Sequence, residues 1–424
     1  MTSLSLLLWI GSGILLQLAI YLGFVIRNQW LNYRTLPSNR EALTKTGKQD
    51  KLGVSEDLAV PAWLGFRTFR VDRKVIEDAN RSICSFYLVA KDGQPLPAFL
   101  PGQFLIFCLD VPTPTGINQQ LIRCYSLSDA PRPDCYRVSI KQTPSPPGIK
   151  VPPGSSSHYF HKQVDVGSLL QVRAPSGHFH LDRTDIPVVL IGGGIGITPM
   201  LSMLNWCLSN QTGREVWLFY GVRNSREVVQ KPHLEALAVL HKNFHLWLCF
   251  SAPLPEDLAG CDYHYQGRID VNLLRSHLPS KAYQFYICGP TPMLESLVPA
   301  LEEWGVSDTH IHFEAFGPAS IKRKIAKDAM ADSPNDPVAK DILVNFANSD
   351  KQLQWQASAN SLLDFAEAHG ITVISGCRAG SCGSCQTNVL SGEVVYLNPP
   401  DYDPEPGTCL LCVCSPKTNL TLEA

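Results

Sequence analysis

The sequence predicts a multidomain fold: an N-terminal transmembrane helix, an antiparallel β-barrel, an α/β domain with a parallel sheet, and a small C-terminal α+β domain. Three observations carry this. An uncharged apolar stretch runs from Leu4 to Ile26, the hydrophobic rhythm changes near residue 184, and six of the 14 cysteines crowd between Cys377 and Cys414. A chain of 424 residues is also too long for one core. With 45% hydrophobic and 17% charged residues it reads as globular, neither disordered nor polytopic. A net charge of −2 without basic runs excludes a nucleic-acid partner.

The first 26 residues are expected to form the anchor. A helix over Leu4–Ile26 reaches about 35 Å, enough to cross a bilayer. A cleavable signal peptide is the alternative, but MTSLS lacks a positive n-region and the apolar stretch is long for one. Arg27, Arg34, Arg40, Lys45 and Lys48 follow against the single acid Glu41. That bias predicts the N-terminus outside a cell (inner) membrane and everything after Arg27 in the cytoplasm. Residues 27–60 then read as a linker.

Residues 61–183 alternate in short apolar runs (Phe69–Val75, Ser82–Ala90, Gln103–Leu109, Tyr136–Lys141) separated by Pro and Gly, which argues an antiparallel barrel. Residues 184–320 switch to strand–helix alternation, from IPVVLIGGG through ITPMLSMLNWCL to AYQFYICG, and predict a parallel sheet with helices on both faces. Residues 321–338 are charged, contain two prolines and read as a linker. Residues 339–424 hold the cysteine cluster.

Within that cluster, Cys377, Cys382 and Cys385 stand as C-x4-C-x2-C in GCRAGSCGSC, and Cys412 follows in LLCVCSP. Three thiolates from one loop and a fourth from a distant strand suit a [2Fe–2S] cluster. Glycines 376, 380 and 383 suit a loop that turns backbone amides toward sulfur. A zinc site is the rival, because Cys382-x2-Cys385 and Cys409-x2-Cys412 make two C-x2-C pairs; it leaves Cys377 and the glycines unexplained. The spacing leaves Cys409, Cys412 and Cys414 all open as fourth ligand. The cluster resembles that of plant-type ferredoxin domains, which implies a β-grasp fold, and their final Cys followed four residues later by Pro implies Cys412 with Pro416. The stretch 358–371 is expected to be the helix before the cluster loop. Single cysteines elsewhere read as small buried hydrophobes in a reducing compartment.

Arg123, Tyr125 and Ser126 lie in LIRCYSLSDAP, and Gly154 and Ser157 in GSSSHYFH. Arg123 suits neutralisation of phosphates, Gly154 and Ser157 a pyrophosphate cradle at a helix N-terminus, Tyr125 a flavin face, and Ser126 the flavin N5. These residues resemble the RxYS and GxxS motifs of the ferredoxin–NADP reductase superfamily. RCYSLSDAP with APSGHF is especially similar to the reductase half of flavohaemoglobins, which implies FAD; FMN stays open, because reductases of the phthalate dioxygenase type share the domain order and use it.

PVVLIGGGIGITPM predicts a strand, a glycine loop and a helix start. Gly192, Gly193, Gly194 and Gly196 are expected to let backbone approach a pyrophosphate, Thr198 to cap the helix, and Pro199 to occupy its first turn. ICGPTPM ends the last major strand with Cys288, Gly289 and Pro290. The superfamily resemblance implies that Cys288 sits beside the nicotinamide and helps aim it, with Glu314 a helper. Phe316 is expected either to cover a cofactor or to be an ordinary core phenylalanine. Arg223 and Arg226 in YGVRNSRE suit a 2′-phosphate, but the choice of NADH or NADPH stays open.

The resemblance runs from Trp63 to Ala424 in the order of phthalate dioxygenase and related oxygenase reductases. It implies an NAD(P)H-dependent oxidoreductase that passes electrons through FAD and [2Fe–2S] to a one-electron acceptor protein, an oxygenase, desaturase or hydroxylase in the same membrane. Direct quinone reduction and a role as electron-transfer subunit of a membrane complex are the alternatives. About 60 residues before the flavin unit are too few for a globin, so nitric oxide dioxygenation is not expected.

Overall fold

The computed structural model describes residues 62–63, 65–112, 118–143, 155–316, 342–356, 359–371, 373, 375–376, 378, 380, 383–396, 400 and 404–424. The expected anchor over 4–26, the linker over 27–60 and the linker over 321–338 lie outside the described residues. Among the described residues no helix is long and apolar enough to cross a membrane.

The strand runs read from Pro and Gly punctuation become a six-stranded antiparallel sheet. Its strands are β1 (Arg67–Ile76), β2 (Ile83–Ala90), β3 (Phe104–Pro112), β4 (Asn118–Ser126), β5 (Tyr136–Lys141) and β6 (Leu169–Ser176), in the order β4-β3-β6-β1-β2-β5. An antiparallel bridge between Leu127 and Val138 joins the two edge strands, so the sheet closes on itself. Helix α1 (Ser155–Gln163) packs Phe160 edge-on against Phe86 and Phe107, at 5.2 and 5.4 Å between ring centroids. Strands β4 and β6 and the last three residues of β3 (Asp110–Pro112) lie outside the runs read from the sequence; in β4, LIRCYS alternates polar and apolar residues only weakly.

The second unit is a parallel sheet of β7 (Val188–Gly193), β8 (Val216–Val222), β9 (Phe244–Phe250), β10 (Tyr265–Gln266), β11 (Gln284–Gly289) and β12 (Ile311–Ala315), ordered β10-β9-β8-β7-β11-β12. Every residue of β7 and β11 is buried, as a sheet covered on both faces requires. Alternate β7 side chains enter different cores. Val188 and Leu190 pack with α2 (Ile197–Asn210) and α3 (Lys231–Leu240), while Val189 and Ile191 pack with α4 (Val271–His277) and α5 (Thr291–Glu303). The chain order reverses at β7, the position where open α/β sheets bind ligands at their carboxyl ends.

The third unit has β13 (Leu343–Phe346), β14 (Lys351–Gln354), α6 (Leu362–Ala368), β15 (Gln386–Ser391), β16 (Val394–Tyr396), β17 (Thr408–Leu410), β18 (Cys414–Pro416) and β19 (Leu420–Leu422). Five strands order β14-β13-β19-β15-β17 with β13 and β19 parallel, and β16 pairs β18. Helix α6 is shorter than the 358–371 expectation. Ser361 sets its start by accepting the Asp364 amide at 3.1 Å, and Gly370, with φ +71°, follows its end.

Asp129, three residues beyond the end of β4, ties the barrel to the parallel-sheet unit. Its carbonyl accepts from Ser202 Oγ at 2.8 Å and its carboxylate from Asn205 Nδ2 at 2.7 Å, both on α2.

Candidate functional site

Strand alternation divides the Arg123–Ser126 motif. Tyr125 points toward α1: it packs edge-on against Phe160 and Phe107, and its hydroxyl donates to Ser156 Oγ at 3.0 Å. Burial pushes the Tyr125 phenol up, partly offset by Ser156, so it remains a donor. Ser126 points the other way and is buried; its Oγ donates to Glu314 Oε2 on β12 over a long 3.5 Å. Arg123 donates to the carbonyl of Ile122 at 2.7 Å, and among the described residues its guanidinium is in no ion pair. A guanidinium with donors beyond that one bond, on the strand that carries Tyr125, fits a bound phosphate group.

Gly154 lies outside the described residues. Ser157 is the third residue of α1, and its Oγ accepts the Thr143 amide at 3.1 Å, which anchors the chain leaving β5. Ser156, absent from the sequence expectations, is the residue that meets Tyr125; the triple serine before HYF was the signal for it.

The glycine loop differs from expectation in a physical way. Gly194–Gly196 form one 3-10 turn between β7 and α2. A Cβ on Gly196 would lie 2.1 Å from the Cys288 carbonyl oxygen, and one on Gly193 would lie 2.7 Å from Met293 Sδ. A Cβ on Gly192 would press the Ile197 backbone at 3.1 Å, and one on Gly289 the Gly193 backbone at 3.1 Å. These glycines therefore also let two strand ends pack, a demand the sequence alone did not show. Gly194 alone stands in the left-handed region, φ +56°, with nothing within 4 Å of its Cβ position. Thr198 does not cap α2. The N-cap is Gly196, and Thr198, already inside the helix, donates Oγ1 to the Ile195 carbonyl at 3.0 Å. Pro199 does occupy the first turn. The first amides of α2 thus carry no side-chain cap, which fits an anion at that end.

Cys288 and Gly289 end β11, with Pro290 capping α5, directly beside the glycine turn. Cys288 is fully buried and pairs in register with Glu314 of β12 and Gly192 of β7. Burial pushes its thiol well up and the Glu314 carboxylate adds to the shift, so the group is neutral and no thiolate nucleophile. Phe316 follows β12 at 45% exposure, which removes the core alternative.

Of the cluster cysteines, Cys377 and Cys382 lie outside the described residues. Cys385 is buried just before β15, and Cys412 is half-buried in the turn between β17 and β18; the Leu411 amide bonds the Cys385 carbonyl at 3.3 Å, drawing the two segments together. Cys409 and Cys414 are buried in the core. The hydrogen bond with Cys409 pushes the Cys414 thiol up, and burial adds to it. Turn placement separates Cys412 from the two core cysteines, a distinction that spacing did not provide. Gly380 and Gly383 have φ +75° and +67°, as a tightly wound cluster loop needs.

Comparison with known proteins agrees with this arrangement. Residues 190–298 match the oxidoreductase NAD-binding domain family, and residues 344–417 match the 2Fe-2S iron-sulfur cluster binding domain family. The second match favours iron–sulfur over zinc. A flavohemoprotein of Bacillus cereus (strain ATCC 10987 / NRS 248) is 38% identical over 259 residues, 61% of this chain and 62% of that protein. The chain therefore spans less than two thirds of such curated relatives. The flavohem-like FAD/NAD-binding domain of nitric oxide dioxygenase from Vibrio cholerae O1 biovar El Tor is 32% identical, with TM-score 0.51, covering 60% of this chain and 100% of that one. Phthalate dioxygenase reductase, described as a modular structure for electron transfer from pyridine nucleotides to [2Fe-2S], is 25% identical with TM-score 0.51, covering 85% of this chain and 98% of that one. The chain is an oxidoreductase that belongs to the family of flavohem-like FAD/NAD-binding reductase domains, joined on its C-terminal side to a 2Fe-2S iron-sulfur cluster binding domain.

Proposed function

We propose that the chain is an NAD(P)H-dependent reductase that passes electrons through FAD and a [2Fe–2S] cluster to a separate one-electron acceptor protein. The observation that carries this reading is the meeting of two motifs from different units: Ser126 Oγ of the barrel reaches Glu314 Oε2, next in register to the buried Cys288 at the end of β11. FAD, when bound, takes two electrons as a hydride and gives them up singly, and a [2Fe–2S] cluster carries one at a time.

In this reading Arg123 neutralises the phosphates and Tyr125, held by Ser156, presents its ring to the flavin. Ser126 holds a hydrogen at the flavin edge, with Glu314 as its acceptor. Cys288, kept neutral, provides a compact wall that aligns the nicotinamide; alignment is what hydride transfer demands. Cys377, Cys382, Cys385 and Cys412 hold the irons. The apolar stretch over 4–26 tethers the chain in the membrane of its acceptor, an oxygenase, desaturase or hydroxylase, and raises their mutual concentration.

Cys382→Ser tests the route. It should abolish reduction of cytochrome c while sparing NAD(P)H-dependent ferricyanide reduction, since the hydride step precedes the cluster. Equal loss of both activities would instead mean that the cluster unit holds the flavin site together. For the tether, external protease on intact spheroplasts should leave residues 61–424 uncut; digestion would reverse the topology.

A further inference from the structure

The arginines that suit a 2′-phosphate are already held by carboxylates. Two loops meet at the carboxyl ends of β8 and β9, joined by backbone bonds from Ser251 to Val222 at 3.0 Å and from Ala252 to Arg223 at 2.9 Å. Arg223 Nε donates to Glu227 Oε1 at 2.6 Å, and Glu227 is buried. Arg226 donates to Glu256 Oε1 at 2.9 Å. Asp257 Oδ2 accepts the Ser225 amide at 3.3 Å and the Leu254 amide at 2.9 Å. Lys141 of the barrel also lies in the field of Glu227.

The position of these loops follows from the sheet. Glu314 and Cys288, the groups nearest the barrel motif, lie on the β11–β12 side of β7. A dinucleotide whose pyrophosphate sits at the β7 turn and whose nicotinamide lies on that side carries its adenosine toward β8, on the other side. An acidic group there accepts from a ribose 2′-hydroxyl, whereas a 2′-phosphate requires a free cation.

We propose that Glu227, Glu256 and Asp257 make the chain selective for NADH over NADPH: Glu227 and Glu256 occupy Arg223 and Arg226, and Asp257, which accepts backbone amides and among the described residues is in no ion pair, sets one negative charge where a 2′-phosphate would lie. The inference rests on the reductase reading above. Glu227 supports it by its ionisation: burial pushes its carboxyl up, but the Arg223 hydrogen bond and Lys141 outweigh that, and the net shift is downward. Arg223 is exposed but its partner Glu227 is buried, while the Arg226–Glu256 pair is exposed at both ends and weak on its own. Selectivity therefore comes from the like-charge encounter with Asp257 more than from the exposed pair.

Calorimetric titration of the holoenzyme with NAD+ and NADP+, beside kcat/KM for NADH and NADPH, tests this. NAD+ should bind at least about tenfold tighter, the ratio that one like-charge contact supplies. Glu256→Gln should narrow the ratio several-fold by tightening NADP+, and Asp257→Asn, which keeps its acceptor oxygen, should act in the same direction. Equal or tighter NADP+ binding by the wild-type chain, or an unchanged ratio in both variants, would overturn the selectivity and leave the reductase reading standing. Binding of neither nucleotide would overturn both.

Discussion

The glycine turn at 192–196 and the cluster loop at 376–385 look alike in composition: each is rich in glycine and each lies against a cysteine. In the nucleotide-binding unit three of the four glycines are required by space. Gly196 faces the Cys288 carbonyl, Gly193 faces Met293, and Gly192 faces the Ile197 backbone. In the cluster loop Gly380 and Gly383 are required by backbone angle, with φ +75° and +67°. Cysteines divide in the same way. In the nucleotide unit Cys207 and Cys249 are buried apolar fillers, whereas Cys412 of the cluster unit stands in a turn. One residue type thus answers two demands, and only the surroundings tell which.

The sharpest break of this contrast is Gly196→Ala. Its Cβ would sit 2.1 Å from a backbone oxygen that belongs to a central strand and has nowhere to go. Loss of about 3 kcal/mol or more is expected in denaturant unfolding of the nucleotide unit. An unchanged midpoint would mean that the turn and β11 do not meet as described.

Gly380→Ala should cost about 1–2 kcal/mol for the left-handed backbone. It adds pressure on Val413 Cγ2 at 3.1 Å, beside Cys412. The expected readout is local: iron per chain falls, while flavin bleaching by NAD(P)H is kept. Loss of bleaching with full iron content would contradict the separation of the two loops.

Cysteine burial predicts an alkaline weakness of the nucleotide unit. Burial pushes Cys207 and Cys249 to about 12 from an ordinary 9.0. The unfolded chain ionises these thiols from pH 9.0 upward while the folded chain does not, so stability is full below that value and is lost as pH rises toward 12. The loss should reach ~1 kcal/mol per thiol by pH ~10. Cys207→Ala with Cys249→Ala should flatten the alkaline limb of midpoint against pH, whatever its effect at neutrality.

Gly194→Ala is the mildest change, about 1 kcal/mol, because φ +56° is strained for alanine but nothing crowds its Cβ. Its effect should fall on KM for the nucleotide more than on the unfolding midpoint. A stability loss matching that of Gly196→Ala would erase the distinction drawn within the turn.

Local pattern in the sequence determined the order and class of the units. Period-two runs with Pro and Gly punctuation announce an antiparallel sheet, strand–helix alternation announces a parallel one, and C-x4-C-x2-C demands a wound loop; each depends on residues near one another in the chain. The cause of each glycine was not readable in that way, since Gly196 is explained by Cys288, far along the chain, through the β7–β11 pairing. The same holds for Thr198, which a capping rule assigned to the helix start and which the 3-10 turn carried inside the helix. The split of Tyr125 toward Ser156 and Ser126 toward Glu314 also came from strand pairing and packing between units. Arg223 and Arg226 are cationic on paper, yet what they offer a ligand depends on Glu227 and Glu256. Charge and conformational freedom belong to the residue, but the partner that uses them is supplied by the tertiary fold.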